Sequence, residues 1–440
     1  MRNKLILVTA ILFNGILAFA QEVDFEEYDL NNGLHVILHQ DNTAPIISIS
    51  ALYHVGSKDE DPERTGFAHF FEHLLFEGTE NIEKGMWDQI VSSNGGSGNA
   101  TTDEDRTYYY EVFPSNNLQL GLWLESERML HPVINQKGVD TQNEVVKEEK
   151  RLRVDNSPYG KFIENIKKNL FKNHPYKETV IGKMDHLDAA TLEEFIAFQK
   201  KFYVPNNAVL VVAGDFKKEN AKKLISDYFN TIPKGQEISR NFPKEQPILE
   251  QINAKAYDPN IQIPATMIAY RTPGLKNRDS QVLDMISTYL SDGPSSKLYK
   301  KIVDEQKQAL QVGAFPATQE DYGMYIVFAL PVGETSLEAL NTEMEEEIEK
   351  LRTDLISEND YQKLQNKFEN QFVNSNSSVE GIANSLAEYY MLYGDTSLIN
   401  KEIEIYRSIT REEIKDVAKK YLNPNQRLVL EYLPEQNTAN

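Results

Sequence analysis

The chain contains the stretch Gly66-Phe67-Ala68-His69-Phe70-Phe71-Glu72-His73-Leu74-Leu75-Phe76, an apolar segment interrupted by three ionisable residues. At 3.6 residues per turn of an α-helix, His69 and His73 lie one turn apart on one face, with Glu72 beside them. Burying three such groups among Phe and Leu costs free energy, and a bound metal ion offsets part of that cost. The spacing therefore predicts a helix that carries two metal ligands, rather than one with two hydrogen-bonded core histidines.

Zinc is the metal that this pattern favours. A catalytic zinc site has three protein ligands and keeps a fourth position for water, whose pKa falls to about 7. Glu72 could then accept the proton of that water. A purely structural site would need a fourth ligand and no base, so it leaves Glu72 unexplained. The pattern thus predicts a hydrolytic site that draws its third ligand from elsewhere in the chain.

Candidates for that third ligand lie in residues 142–151, at the end of a region that reads as helical from residue 117 to residue 153. On a helix, Glu144 and Glu148 share one face, whereas Glu149 is turned about 100° away. Only one face can point at the metal, and the periodicity does not say which. Without the two histidines, this acidic, Lys-rich run would be interpreted as a solvated helix with i,i+4 ion pairs.

Composition narrows the possible ligands and partners. The 440 residues include no cysteine, which excludes disulfides, thiolate ligands and a cysteine nucleophile. The formal net charge of -21 repels phosphate backbones and anionic lipid, so nucleic-acid binding is not expected. The length and a hydrophobic content of 40% suffice for two to four domains.

Residues 1–20 have the pattern of a secretory signal peptide. Arg2 and Lys4 precede an apolar run from residue 5 to residue 17, and Ala18-Phe19-Ala20 follows it. A membrane anchor would need about 20 apolar residues, whereas this run is shorter and contains polar residues. We therefore expect an exported protein, periplasmic or secreted, whose mature chain begins at Gln21 and has no membrane-spanning segment.

Alternating apolar residues predict strands at residues 34–39 and 46–53. His35 and His39 in the first of these are expected at the surface. The Gly- and Asn-rich residues 94–101 predict a flexible turn, and residues 107–112 predict a strand. An extended peptide could pair with that last strand, although an internal position in a sheet is an equal alternative.

An internal repeat divides the chain. Thr-Leu-Glu-Glu-Phe at Thr191 recurs as Thr-Arg-Glu-Glu-Ile at Thr410, 219 residues later, and both are followed by a Lys-Lys-aromatic run and a β run. The same offset relates Pro45 and its strand to Pro264 and its strand, which indicates a duplication. The expected domains are 22–232 and 252–435, joined by a Pro- and charge-rich linker at 233–251.

Each half is expected to be α+β, a sheet with helices packed on one side. All eight histidines lie at or before His186, so the second half cannot repeat the metal site.

Several motifs in the first half carry a resemblance to a known family. They are Asn32-Gly33-Leu34, Gly56-Ser57, residues 66–73, Phe76-Glu77-Gly78-Thr79, Asn99-Ala100 with Thr102, and residues 145–149. On these motifs the chain resembles the pitrilysin/insulinase family of zinc metallopeptidases, in the short branch similar to mitochondrial processing peptidase. The order His-x-x-Glu-His is the inverzincin signature of that family.

The resemblance implies a fold of the processing-peptidase type and one Zn²⁺ per chain. It implies His69, His73 and Glu148 as zinc ligands, with Glu148 lying 75 positions after His73. It further implies that Glu72 activates the zinc-bound water and that Asn99 and Ala100 contact substrate. The expected activity is endopeptidase cleavage of extended peptides or unfolded segments.

The chain departs from the family pattern at two places. Many relatives carry a glutamate seven residues before the distal ligand, where this chain has Thr141. Relatives also use an arginine and a tyrosine of the second half to contact substrate, and alignment puts Val303 and Leu310 there. Neither side chain can hydrogen-bond a substrate oxygen.

The second departure suggests that a homologous partner chain supplies the arginine and tyrosine in a heterodimer. A homodimer or a self-sufficient monomer is the alternative. A non-catalytic or partner-dependent subunit is a further alternative, because some relatives keep the fold and lose the metal. The intact set of His69, Glu72, His73 and Glu148 argues against that alternative, because degenerate subunits lose those residues first.

Overall fold

The computed structural model describes residues 22–435, so the predicted signal peptide and the start at Gln21 lie outside the described residues. The strands are β1 Glu26–Asp29, β2 His35–Gln40, β3 Ile46–Tyr53, β4 Ser97–Thr102, β5 Thr107–Pro114, β6 Ala208–Gly214, β7 Ile252–Asp258, β8 Ala265–Pro273, β9 Ala309–Thr318, β10 Tyr322–Pro331 and β11 Arg427–Pro434. They form two sheets, one in each half of the chain.

Fourteen α-helices lie in the described residues. They are α1 Phe67–Leu74, α2 Trp87–Ser93, α3 Leu118–Leu130, α4 Gln136–Lys150, α5 Phe162–Leu170, α6 Met184–Ala189, α7 Leu192–Phe202, α8 Lys218–Phe229, α9 Arg278–Ser291, α10 Leu337–Thr353, α11 Glu358–Ser375, α12 Val379–Glu388, α13 Leu398–Ser408 and α14 Arg411–Tyr421. Within residues 22–435, no helix combines the length and the apolar character needed to cross a bilayer.

The two sheets have the same plan. The first has the order β1-β2-β6-β3-β5-β4 and the second the order β7-β11-β8-β10-β9. In each, one pair is parallel, β2 with β6 and β7 with β11, and the other pairs are antiparallel. The repeat detected in the sequence therefore extends to the strand order, with β1 as an added edge in the first half. The predicted α+β fold with two halves is confirmed.

Helices of its own half cover one face of each sheet. In the first half, the apolar residues of α1, α3, α7 and α8 form one buried cluster with the strands. In the second half, α9, α10 and α14 do the same. Matching capping boxes begin the repeated helices, since Thr191 caps α7 and Thr410 caps α14. These repeated Thr-x-x-Glu patterns satisfy helix N-terminal N–H groups at the same place in both halves.

The opposite face of each sheet is covered by a helix of the other half. Helix α12 packs its apolar face on β2, β3 and β6, burying Ile382 and Leu386 completely or nearly so. Helix α5 packs in the same way on β8 and β11, burying Ile166 and Leu170. This pair, the exchanged helices, makes the two halves one packed unit. A single-sided sheet in either half would leave that apolar face in water.

This packing overturns the surface position expected for His35 and His39. Both imidazoles lie on the β2 face that the second half covers, and both residues are buried. His35 stacks on Tyr390 with ring centroids 3.6 Å apart, and its Nδ1 lies 2.7 Å from Asp29 Oδ1. The alternation of β2 was read correctly, but its polar face meets protein instead of solvent.

The structure also corrects the expectations for residues 94–112. Residues 97–101 of the expected flexible turn belong to β4, and residues 94–96 before them make the turn. β5 lies between β3 and β4, so its backbone already pairs on both sides. A peptide therefore cannot add to β5. The open edge on this side of the sheet belongs to β4.

Charged side chains join the halves beneath the irregular segment 233–250. Lys58 Nζ lies 2.9 Å from Asp105 Oδ1 and 2.7 Å from Glu320 Oε2, and His54 Nε2 lies 2.8 Å from the same Glu320 oxygen. Glu320 belongs to the β9–β10 turn of the second half. From the segment itself, Arg240 pairs with Asp59. These contacts fix that turn against the first half.

Candidate metal centre

Helix α1 holds the two histidines, and its own packing sets the direction in which they point. Phe67 and Phe70 stack on Phe195 of α7, with ring centroids 4.5 and 4.6 Å apart. The opposite flank of α1 carries His69, Glu72 and His73, whose side chains are only partly buried. The apolar spacing seen in the sequence therefore turns the polar flank away from the core.

Side chains from outside α1 hold both of its ends. At its start, Gly66 adopts φ +96°, where a Cβ would come within 2.8 Å of a backbone oxygen. The Glu60 carboxylate accepts hydrogen bonds of 2.8 Å from the N–H groups of Gly66 and Ala68. At its end, Arg128 donates to the carbonyl of Leu75. Burial raises the pKa of Glu60 well above its usual value, whereas the positive charge of Arg128 at the C-terminus complements the helix dipole.

Arg128 is completely enclosed. Its guanidinium pairs with Glu111 at 2.8 Å and with Glu125 at 3.0 Å, all three side chains being at most 1% exposed. It also lies over the rings of Trp87 and Tyr109, 4.1 and 4.4 Å from their centroids. Burial, and then the neighbouring Glu125, raise the pKa of Glu111 well above its usual value. This buried cluster lies beside the C-terminal end of α1, the helix that carries His69 and His73.

The structure brings His69, His73 and Glu149 together. Glu149 Oε2 lies 3.5 Å from Nε2 of His69 and 3.2 Å from Nε2 of His73, and one ligand atom from each of the three residues lies within 4.8 Å of the other two. The two rings meet edge to face with centroids 4.9 Å apart. Among residues 22–435, no other group of three His or acidic side chains converges in this way.

Glu149, and not Glu148, is therefore the residue that α4 presents to the histidines. The Glu148 side chain is 56% exposed and pairs with Arg151 at 3.0 Å. The rotation of α4 explains the difference, because Val139 and Val146 are buried and Glu149 lies one turn beyond them on the same face. Val145, which reads as half of an apolar pair, is 44% exposed. The seven-residue spacing of the two buried valines was the signal that could have selected Glu149.

This correction also moves the position seven residues before the distal ligand from Thr141 to Gln142. Thr141 is exposed and donates its hydroxyl to the Lys137 carbonyl. Gln142 faces inward, and its Nε2 donates to Oε1 of Glu77 at 2.5 Å. The departure from the family pattern therefore lies at Gln142, which stands in place of a glutamate, and not at Thr141.

The environment favours the states that metal binding needs. Burial, and then the neighbouring His73, lower the pKa of His69 to about 4. Burial also lowers the pKa of His73, against the opposing charge of Glu149. Both imidazoles are then neutral at pH 7, as a ligand must be. His69 Nδ1 is buried without a hydrogen-bond partner.

The remaining oxygen of Glu149 has its own partner. Oε1 lies 2.6 Å from Nη1 of Arg153, one turn further on, while Oε2 faces the two imidazoles. Two imidazole nitrogens and one carboxylate oxygen, with no sulfur, form the donor set of a catalytic zinc site. The residues present therefore fit a zinc ion.

Glu72 lies beside this cluster, with its carboxylate largely buried. Burial raises its pKa, and a hydrogen bond from the Thr102 hydroxyl opposes that rise. Thr102 is a residue that the sequence reading left without a role of its own. A carboxylate that has a raised pKa and lies next to a metal position is suited to accept a proton from water.

The two expected substrate residues lie on β4. Asn99 is exposed, whereas the Ala100 side chain is buried in the core of the first half. β4 pairs with β5 on one side and with no other described strand. Both residues thus lie on a sheet edge whose backbone groups are available to an extended chain.

The second half does not face the histidine cluster through any described hydrogen bond or ion pair. Glu388 of the second half pairs at 3.0 Å with Arg106 of the β4–β5 turn. Val303 packs against the core of the second half, and Leu310 is 54% exposed on β9. The family resemblance implies that the second half forms the opposite wall of a substrate chamber, and this stays a prediction.

Two family models match consecutive parts of the chain. The one described as Insulinase (Peptidase family M16) matches residues 35–183, and the one described as Peptidase M16 inactive domain matches residues 189–368. The chain is 28% identical over 404 residues to Zinc protease PqqE of Helicobacter pylori, covering 91% of each chain. It is 20% identical to Uncharacterized zinc protease YmxG of Bacillus subtilis, covering 92% of this chain and 97% of that protein.

Solved structures have the same fold. The crystal structure of a protease from Helicobacter pylori matches with a TM-score of 0.88 and 27% identity, covering 93% of this chain and 99% of that one. The periplasmic protease PqqL from Escherichia coli matches with a TM-score of 0.75 and 19% identity. That match covers 93% of this chain but 47% of PqqL, whose first half has also been solved alone and matches as well.

Proposed function

Because the chain belongs to the M16 family of peptidases, we propose that it is a zinc-dependent endopeptidase that cleaves extended peptides or unfolded segments. The observation that carries the proposal is the convergence of His69, His73 and Glu149 beside the Glu72 carboxylate. Two helices, α1 and α4, bring these residues together from distant parts of the chain. A helix with two ordinary core histidines would need neither the inward-turned Glu149 nor the adjacent base.

Zinc would be held by His69 Nε2, His73 Nε2 and Glu149 Oε2. When bound, the ion would polarise the substrate carbonyl and lower the pKa of a bound water to about 7. Arg153 holds the other oxygen of Glu149. Glu148 has no part in this set.

Side chains and backbone groups of this protein carry out peptide binding and proton transfer. An extended peptide pairs with the open edge of β4, which aligns its backbone next to the histidine cluster. Glu72 takes a proton from the attacking water and passes it to the leaving amine. The Thr102 hydroxyl occupies one oxygen of Glu72 and leaves the other for that proton.

A second chain is proposed to complete the substrate site. PqqL is about twice as long as this chain, and each comparison aligns this chain with only one half of it. The apolar residues Val303 and Leu310 stand where family members carry substrate-binding polar residues. We therefore favour a heterodimer in which a homologous chain supplies those groups, with a homodimer as the alternative. A subunit that is inactive without its partner remains the competing function.

Assays of the chain alone and with a co-purifying homologue decide between these arrangements. Full turnover of an unstructured peptide by the isolated monomer, unchanged when the homologue is added, would rule out the partner. Turnover that appears only with a homologous chain would support it.

Export is part of the proposal. The pattern of residues 1–20 supports it, and PqqL, which shares the fold, is described as periplasmic. The mass of the protein purified from its native source tests this point. We expect a chain that begins at Gln21, and a retained Met1 on exported protein would contradict the prediction.

The central test joins a metal assay to a proteolysis assay. Purified protein starting at Gln21 should hold one zinc per chain and cleave an unstructured peptide mixture. A chelator should remove both the metal and the cleavage, and added zinc should restore them. Protein that binds zinc at one equivalent and cleaves nothing, with or without a homologous chain, would refute the peptidase.

A further inference from the structure

The Thr102 hydroxyl donates a hydrogen bond to Oε2 of Glu72. This contact crosses from the last residue of β4 to the middle of α1. Thr102 is partly buried and lies at the end of the strand, opposite Thr107 of β5 in the register. It is the one described side chain that hydrogen-bonds the Glu72 carboxylate.

The same strand forms one of the two edges of the first sheet, and β1 forms the other. β4 pairs only with β5, and Ser97, Gly98 and Asn99 are exposed along it. The strand is rich in small residues and has the lowest apolar content of the sheet. Its backbone is therefore held by one row of hydrogen bonds and few buried side chains.

The β4–β5 turn fixes the end of the strand that carries Thr102. Asp103 N–H donates to the Arg106 carbonyl, and the Asp103 carboxylate accepts from the N–H groups of Asp105 and Arg106. Arg106 also donates to the Thr101 hydroxyl and pairs with Glu388 of the second half. The Thr102 end is thus rigid, whereas the residues before it are open to a second strand.

Resting on the proposed function, we propose that Thr102 is a positioning residue that ties the substrate-binding edge to the catalytic base. Its hydroxyl sets the rotation of the Glu72 carboxylate so that one oxygen faces the attacking water. A peptide that pairs with β4 continues the sheet up to Thr102. Docking of the peptide and alignment of the base then depend on one strand.

A purely structural role for Thr102 makes a different prediction. Threonine favours strands because of its branched side chain, and valine has the same shape without the hydroxyl. If Thr102 served only the strand, Thr102→Val would be harmless and Thr102→Ser would be the more disruptive change. If the hydroxyl orients Glu72, the order is reversed.

The experiment compares these two variants with Thr141→Val, a matched control at an exposed site on α4. All are loaded with zinc and assayed on one unstructured peptide. For Thr102→Val we expect kcat to fall roughly 10- to 100-fold, as for the loss of an outer partner of a catalytic group, with KM and zinc content near the native values. Thr102→Ser should keep kcat within about threefold of the native value. The control Thr141→Val should have the native kcat.

Hydrogen exchange supplies a readout that does not depend on turnover. A non-hydrolysable analogue of the cleaved peptide should protect the amides of β4 equally in the native protein and in Thr102→Val, because the strand edge is unchanged. Loss of that protection, loss of zinc, or equal defects in the Val and Ser variants would each overturn the positioning role. Native kcat in Thr102→Val would overturn it as well.

The outcome is separable from the fate of the proposed function. If the native zinc-loaded protein, with its partner, cleaves no peptide, the peptidase itself fails. If the native protein cleaves and Thr102→Val does so equally well, only the role of Thr102 fails.

Discussion

Glu149 Oε2 lies 3.2 Å from Nε2 of His73, across the contact between α4 and α1. The adjacent residue, Glu148, turns its carboxylate to solvent and to Arg151. This pair offers a matched comparison at consecutive positions of one helix. We expect Glu149→Gln to weaken zinc affinity by more than about 100-fold, because the loss of a direct ligand should exceed that of an outer partner. Glu148→Gln should change it less than about threefold.

Competition with a chelator of known zinc affinity measures both variants, and thermal unfolding without metal checks that both fold. Equal losses in the two variants would mean that α4 is rotated differently in the zinc-bound protein.

Glu72→Gln separates the base from the ligands. The amide cannot accept a proton, but the three ligand side chains remain, so hydrolysis should fall by at least about 100-fold while zinc stays bound. His73→Ala should lose both metal and activity. Zinc content and peptide cleavage are measured on the same samples. Native turnover by Glu72→Gln, after stripping and reloading with zinc, would contradict the assigned base.

The buried cluster beneath α1 predicts a large loss of stability in Arg128→Met. The change leaves Glu111 and Glu125 enclosed without their cation, which costs about 3–5 kcal/mol for a broken buried pair. Urea unfolding measures the loss. The control is Arg407→Met, because Arg407 is 52% exposed and pairs with Glu369 at the surface. It should change the free energy of unfolding by less than about 1 kcal/mol. If Arg128→Met kept the native free energy of unfolding, protonation of Glu111 and Glu125 would cost little.

Glu320 predicts a pH dependence of stability. Burial alone would raise its pKa, but His54 and Lys58 outweigh burial and lower it from 4.5 to about 2. A lowered pKa stabilises the folded state above pH 4.5, and this contribution is lost as the pH falls from 4.5 towards 2. Glu320→Gln should therefore lower the free energy of unfolding at pH 7, by about 1–2 kcal/mol after allowance for solvent screening.

The difference between the native protein and Glu320→Gln should shrink as the pH falls below 4.5, because native Glu320 is then protonated too. Chemical unfolding at a series of pH values measures it. Glu334→Gln, at an exposed loop position, is the control and should show no such trend. A difference that stays constant down to pH 2 would show that the charge of Glu320 is not involved.

The exchanged helices predict that neither half folds alone. We propose the domain limits 22–232 and 252–435, with the linker at 233–251. Each half expressed separately would expose the sheet face that the other half covers, an apolar surface that favours aggregation. Co-expression of two chains divided within the linker should instead give a soluble complex with the full zinc content. A separately expressed half that unfolds cooperatively would contradict this.

The elements with strong local patterns could be predicted from the sequence. The apolar spacing of residues 66–76 predicted helix α1 with its two histidines on one face. The recurrence at Thr191 and Thr410 predicted the two halves. These features depend on residues close together in the chain, where period and capping suffice. The family resemblance added the expectation of a distal glutamate but placed it one residue too early.

The rest depended on contacts between distant parts of the chain. Which face of α4 meets α1 is decided by the burial of Val139 and Val146, and an acidic helix shows this only weakly. β4 has few strand-forming residues, so its pairing with β5 could not be recognised locally. His35 and His39 are covered by the second half, which no local alternation can reveal.

The exchanged helices also bear on how the chain arose. Helix α5 shifted by 219 residues falls on residues 381–389, which overlap α12, so the two helices occupy the same place in the repeat. Each repeat therefore covers the other's sheet with the same element, and residue i of one meets residue j of the other reciprocally. That is the symmetry of an isologous interface about a twofold axis. A homodimer of a chain about half as long would have this same arrangement, and residues 233–251 correspond to the connection that joins its two copies.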